Sequence, residues 1–359
     1  MKNFPLFTLI VFLSLSCTQE TAQIYTMNNG NGMEVKVTNY GARITSIVVP
    51  AANGLPTEVV WGYDTVQEYY NSSDINCGPI VGRYGNRIGK GEFTLDGTTY
   101  HLSLNDGKNH LHGGTNGFSS KLWKATQLSN YKVKMEYLSK DGEEGYPGNL
   151  KVAVTYSLLP DNKLEISYEA TTDAPTIINL TSHAYFNLHG TSAHTTNTHI
   201  LTINADSFTP VDSELIPTGA IIPVEGTPLD FRIPTAIGDR INTLDYEQIA
   251  FAGGYDHNWV LNKPSGNPKA MTFAAELYEP STGITMRVMT DQKGLQFYSG
   301  NFMDGKDVGR NGDRHSYRTG VALETQNFPD APNHFMFPSP VLRPGETYST
   351  TTYYSFDTK

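Results

Sequence analysis

What most limits this chain is the rhythm of its apolar residues. Past residue 30 no stretch carries a long helical period. Short alternating runs recur instead: EVKVT at Glu34–Thr38, KVAVTYS at Lys151–Ser157, KLEISY at Lys163–Tyr168, HILTIN at His199–Asn204, ITMRVM at Ile284–Met289 and LQFY at Leu295–Tyr298. A period of two with β-branched and aromatic residues means strands with one buried face. Turn dipeptides separate them: Asn53-Gly54, Asp96-Gly97, Asp141-Gly142, Pro160-Asp161 and Asp304-Gly305. Lys90–His101 reads as a hairpin around Asp96-Gly97. Helical signal is confined to Asp64–Tyr70 and Ser120–Gln127, each long enough for a turn or two. The expected fold is all-β, a large antiparallel β-sandwich with long loops and few short helices. No repeat or low-complexity linker interrupts residues 25–359, which read as a single domain.

Composition narrows the function. With 38% hydrophobic and 11% aromatic residues, the 359-residue chain holds too much apolar material for disorder. The formal charge of −10 lacks the electrostatic footprint of a general nucleic-acid binder. Two cysteines exclude a disulfide scaffold and a Cys-rich zinc module. Cys77, within INCGPIVG, reads as a small core residue rather than a nucleophile.

The first residues read as an address. Lys2 precedes an apolar run from Phe4 to Leu15, too short for a permanent bilayer span, which needs roughly 20 residues. Ser16 precedes Cys17, and polar TQETAQ follows. Residues 1–16 thus resemble a bacterial lipoprotein signal with Cys17 as the lipidated residue, although Ser14 stands where leucine is commonest. The expected place is the cell envelope, on a membrane anchor facing the periplasm or the exterior. A cleaved, soluble periplasmic form is the alternative.

Polar chemistry collects in segments outside the strand pattern: GRYGNRI (Gly82–Ile88), NHLHGG (Asn109–Gly114), TSHAYFNL (Thr181–Leu188), GYDHNW (Gly254–Trp259), GLQFYSGN (Gly294–Asn301) and ALETQNFPD (Ala322–Asp330). Loops on a rigid β scaffold are where binding and catalysis are usually built. Singly, each residue has an ordinary structural reading. Arg87 suits a surface ion pair, His112 and His183 suit hydrogen-bonded loop positions, and Asp256 suits an Asx turn. Glu324 lies in the apolar run VALETQNF, where a buried carboxylate must be paired or functional.

Together these segments resemble the aldose 1-epimerase (galactose mutarotase) family. GPIVGRYGNRIGKGEF, NHLHGG, HAYFNL, GYDHNW, QFYSGN and LETQNFPDAPNH occur in the family's order from about residue 28 to residue 356. The resemblance implies a β-sandwich enzyme that interconverts the anomers of free aldoses, with no metal and no organic cofactor. It implies Glu324 as base and His183 as acid, with Asn86, Arg87, His112, Asp256 and Gln296 contacting the sugar and Tyr185 beside the acid. Tyr84-Gly85 and Trp259 depart from the family's commoner residues. The partner is a small aldose, and the protein is expected to be a monomer or a homodimer.

Opening a pyranose removes a proton from the C1 hydroxyl and delivers one to the ring oxygen, tasks for a carboxylate and an imidazolium. Ordinary pKa values, about 4.3 and 6.5, make Glu324 ionised and His183 partly protonated at neutral pH, with Asp256 favouring the imidazolium. Tyr185, Phe297 and Trp259 are candidates to cover the sugar's C–H face, with core packing as the simpler role for the last two. Four rival readings stand beside this one. A hexose 6-phosphate epimerase needs a cationic clamp, with Arg83 as a contributor. A sugar-binding lipoprotein dispenses with His183 and Glu324. A metal enzyme uses His110 and His112 on one face of a strand. A glycoside hydrolase uses paired carboxylates.

Overall fold

The computed structural model describes residues 21–190 and 194–359. The leader 1–16 and Cys17 lie outside them. Antiparallel strands dominate, with two short helices, Val66–Asn71 and Glu247–Ala252, among the described residues. No helix among them is long and apolar enough to cross a membrane.

A nine-stranded sheet forms one layer. Its order runs Lys124–Ser129, Lys132–Ser139, Leu150–Leu159, Lys163–Thr172, Tyr348–Thr358, Ile284–Thr290, Thr272–Tyr278, Ile200–Ile203 and Thr235–Ala236. Alternation is visible in Leu150–Leu159, where Val152, Val154 and Tyr156 are buried while Lys151, Ala153 and Thr155 are not. A six-stranded sheet packs on this layer: Tyr185–Phe186, Val321–Gln326, Gly294–Tyr298, Asp256–Val260, Ser207–Thr209 and Ile222–Pro223. Contacts between the layers are close. Tyr354 and Phe186 place their rings 5.1 Å apart, and the Tyr354 hydroxyl donates to the Leu323 carbonyl at 3.2 Å. The Thr325 and Thr352 hydroxyls meet at 2.5 Å in the same interior.

The strand expectations hold, and so does the hairpin, as Glu92–Leu95 paired with Thr98–His101. Val66–Asn71 is helical as expected, begun by a capping box in which Thr65 and Glu68 satisfy each other's backbone N–H. Ser120–Gln127 is not. A 3₁₀ turn, Phe118–Ser120, leads into the edge strand Lys124–Ser129. Ala125 and Leu128 suit a helix, but pairing with Lys132–Ser139 outweighs local propensity.

Candidate active site

Period two in three strands builds the floor of a cleft. In Val321–Gln326, Val321, Leu323 and Thr325 face the nine-stranded sheet, so Glu324 faces away from it. In Gly294–Tyr298, Leu295 and Phe297 enter the core, leaving Gln296 and Tyr298 on the cleft side. In Asp256–Val260, Trp259 enters the core and Asp256 lines the cleft. Register then aligns the polar face. Glu324 stands opposite Gln296, Gln296 opposite Asn258, and Tyr298 opposite both Ala322 and Asp256. Gln296 Nε2 donates to Asp256 Oδ1 at 2.7 Å, which ties two strands of the floor together. Phe297 and Trp259 are fully buried core residues and cannot cover a sugar; Tyr185 lines the cleft.

His183 reaches this floor from the link between Thr181–Ser182 and Tyr185–Phe186. Its backbone is fixed on both sides, with its N–H donating to Pro79 O at 2.9 Å and its carbonyl accepting from Gly78 N at 3.1 Å. His183 Nε2 lies 3.7 Å from Glu324 Oε1. His183 Nδ1 and Glu324 Oε2 are buried and have no hydrogen-bond partner among the described residues. The Tyr185 ring sits 5.0 Å from the His183 ring at 79°.

The opposite wall comes from two loops. Asn86 and His112 both have positive φ, 65° and 52°. The His112 N–H donates to Asn86 O at 3.0 Å, and the Asn86 N–H donates to His112 Nδ1 at 3.1 Å. Gly113 makes this approach possible: φ is +83°, and a Cβ would stand 1.7 Å from the Gly82 carbonyl oxygen. Arg87 donates to Asp106 Oδ2 at 2.8 Å and reaches Asp256 Oδ2 at 3.5 Å. The cleft has a volume of about 630 Å³ and gathers Asn86, Arg87, His112, His183, Tyr185, Asp256 and Glu324 on one surface, with Gln296 in its floor.

Burial changes the protonation expected from the sequence. It lowers His183 to about 4, and it pushes Glu324 well above the carboxylate range, with Asp256 adding to the rise and Arg87 opposing it. The expectation that Asp256 favours the imidazolium is therefore corrected: desolvation outweighs neighbouring charge at His183, and at Glu324 it opposes the carboxylate. Burial, with His183 and Arg87 nearby, also lowers His112 well below its ordinary value. Because its Nδ1 accepts from Asn86, neutral His112 carries its proton on Nε2.

That tautomer bears on metal binding. Nitrogen and oxygen atoms of His112, His183 and Glu324 lie within 4.8 Å of one another. The His112 ring has no lone pair left for an ion while Asn86 holds it. A second cluster, His189, His199 and Glu279, behaves alike. The Leu188 N–H donates to His199 Nε2 at 2.9 Å, so Nδ1 bears the proton and faces Glu279 Oε2 at 3.2 Å. The His110–His112 pairing does not form. The strand ends at Leu111, and His110 is buried against Ser103 O and the Tyr146 hydroxyl, at 2.7 and 2.6 Å. Arg83 is also turned away from the cleft, donating to Pro147 O, Gly148 O and Ser139 Oγ.

Several lining residues escaped sequence reasoning: Asp74, Asp106, Glu214, Tyr298, Phe302 and His315. Tyr298 was accessible, since it lies two residues from Gln296 on one strand and shares its face. Asp106 sits in a turn whose sequence gives no sign that it reaches Arg87.

A β-sandwich holding a carboxylate and an imidazole 3.7 Å apart at the floor of a polar cleft defines an acid–base enzyme for a small hydroxylated molecule. The aldose 1-epimerase family model matches residues 23–355. This chain is 42% identical to galactose mutarotase of Homo sapiens over 324 residues, covering 90% of this chain and 91% of that one. It is 37% identical to aldose 1-epimerase of Escherichia coli strain K12 over 336 residues, covering 93% and 95%. A solved aldose epimerase homologue from C. elegans superposes with a TM-score of 0.86 at 30% identity, covering 94% of this chain and 99% of that one. The chain belongs to the aldose 1-epimerase family.

Proposed function

We infer that this protein is an isomerase that interconverts the α and β anomers of free aldoses such as glucose and galactose. The observation that carries the reading is the Glu324–His183 pair, 3.7 Å apart with one unpartnered polar atom on each, at the floor of the cleft. In ring opening, Glu324 as carboxylate takes the proton of the C1 hydroxyl while His183 as imidazolium protonates the ring oxygen. The C1–O5 bond breaks and a C1 carbonyl forms. Rotation about C1–C2 presents the other carbonyl face, and closure reverses both transfers. Each positioned acid or base contributes about 10²–10⁴ in rate.

Burial gives this cycle a bias. The two transfers convert an ion pair into a neutral acid beside a neutral imidazole, the form the desolvated site favours. The open-chain complex thereby escapes the cost of holding two buried charges. Neutral His112 donates from Nε2 toward the sugar, and Asn86, Gln296 and Asp256 fix its pose. Arg87, held by Asp106 and Asp256, stabilises negative charge developing on oxygen.

The charges around the cleft favour unphosphorylated sugars. Among its described lining residues Arg87 is the one lysine or arginine, and two carboxylates hold it. At the rim Lys108 pairs with Glu214 and Lys306 with Asp304. A phosphate finds no free clamp there. Polarimetry of freshly dissolved α-glucose and α-galactose tests the reading: the protein speeds mutarotation over buffer and acts far less on glucose 6-phosphate. Equal turnover of the phosphate contradicts the free-aldose assignment. Glucose binding without acceleration makes the protein a sugar binder instead.

We further propose that residues 1–16 direct the chain to the bacterial cell envelope, with Cys17 acylated; the sequence of the leader is the basis for this.

A further inference from the structure

We propose that Asp74 is a specificity-determining residue that accepts a hydrogen bond from a sugar hydroxyl other than the anomeric one. The proposal rests on the sugar reading of the cleft and deepens it.

Asp74 lines the cleft with Ser73, Asn76 and Tyr185. It follows the helix Val66–Asn71, in a loop that is firmly tied. Asp307, from a segment 234 residues beyond Ser73 in the chain, accepts from Ser73 N at 3.1 Å, Ser73 Oγ at 2.6 Å and Asp74 N at 3.1 Å. The Ser72 hydroxyl meets the Tyr63 hydroxyl at 2.8 Å and accepts from Asp74 N at 3.0 Å. A carboxylate on so fixed a loop is preorganised for a ligand.

Its own bonds leave capacity. Asp74 Oδ1 accepts from Asn76 N at 2.9 Å, and Tyr185 lines the cleft beside it, close enough to help hold the carboxylate. A carboxylate offers about four acceptor sites, so room remains for a sugar O–H. Tyr185 sets the location, because its ring lies 5.0 Å from that of His183. Asp74 therefore stands one side chain from the reacting pair, among residues that Arg87 and Asp106 do not bond.

A sugar bound in the cleft also needs hydrogen-bond acceptors. Each hydroxyl that leaves water brings an O–H that must be satisfied. Around the cleft Asn86, Arg87 and His112 bring mainly donors. Asp256 accepts from Gln296 and Arg87 in the floor, and Glu324 is committed to C1. On the Tyr185 side of the cleft Asp74 adds an acceptor with sites to spare, beside the unpartnered Gln296 Oε1 of the floor.

The test measures kcat/KM for glucose and its 2-, 3-, 4- and 6-deoxy analogues with wild type, D74N and D74A. Wild type is expected to discriminate against one deoxy sugar by about 10–100-fold, the worth of a hydrogen bond to a charged group. D74A is expected to lose a similar factor on glucose, with discrimination at that one position collapsing toward unity and the others kept. D74N, which retains the acceptor for Asn76, is expected to show the same pattern at smaller size. An Asp74 that only shapes its loop lowers all five sugars alike, and that result, or unchanged kinetics in both variants, overturns the proposal. Failure of wild type to accelerate any sugar instead removes the mutarotation reading, and this proposal with it.

Discussion

At the scale of single residues, Glu324 and His183 share one proton between two buried groups. The pair titrates as a unit, with the active form holding a single proton. Activity falls on the acid side when His183 takes a second proton, near its lowered value of about 4, and on the alkaline side when the last proton leaves Glu324, above the ordinary carboxylate range. The pH profile of kcat/KM is therefore expected to be bell-shaped, with an acid limb well below an ordinary histidine. An acid limb near pH 6.5 contradicts the desolvation argument.

At the scale of elements, alternation carried most of the information. The run VALETQ is buried on both faces, yet its period of two already separates Leu323 and Thr325 from Glu324. Short segments were less legible. Lys124–Ser129 is an edge strand whose pairing partner outweighs its composition. Glu247–Ala252 is one and a half turns whose role is tertiary: Gln248 accepts from Val211 N and donates to Val211 O, both at 2.8 Å. That clamp holds the start of the loop bringing Glu214 and Leu215 to the cleft rim. The loop after His112 shows how backbone conformation positions chemistry. Gly113→Ala places a methyl group against the Gly82 carbonyl in a left-handed conformation. The shift is expected to move His112 and cost on the order of 10²-fold in kcat/KM. Near wild-type turnover in that variant means the loop does not position the histidine.

At the scale of the whole molecule, the sandwich and its cleft followed from patterning spread over the chain, whereas the charge environment appeared only on folding. A chain of net charge −10 gathers carboxylates around its cleft and leaves Arg87 as the one lysine or arginine among the described lining residues. The leader is a separate matter, read from sequence. Acylation of Cys17 predicts that the full-length protein incorporates labelled fatty acid and partitions with membranes, while Cys17→Ser does neither. Equal membrane recovery of both forms contradicts the anchor.

The most direct test of paired proton transfer is a double-mutant cycle on mutarotation of freshly dissolved α-glucose, comparing Glu324→Gln, His183→Asn and the double variant with wild type. Each single change is expected to lower kcat/KM by about 10²–10⁴, and the double variant to be scarcely slower than either, because neither group can relay its proton alone. Losses that multiply, or an Glu324→Gln enzyme as fast as wild type, contradict the account.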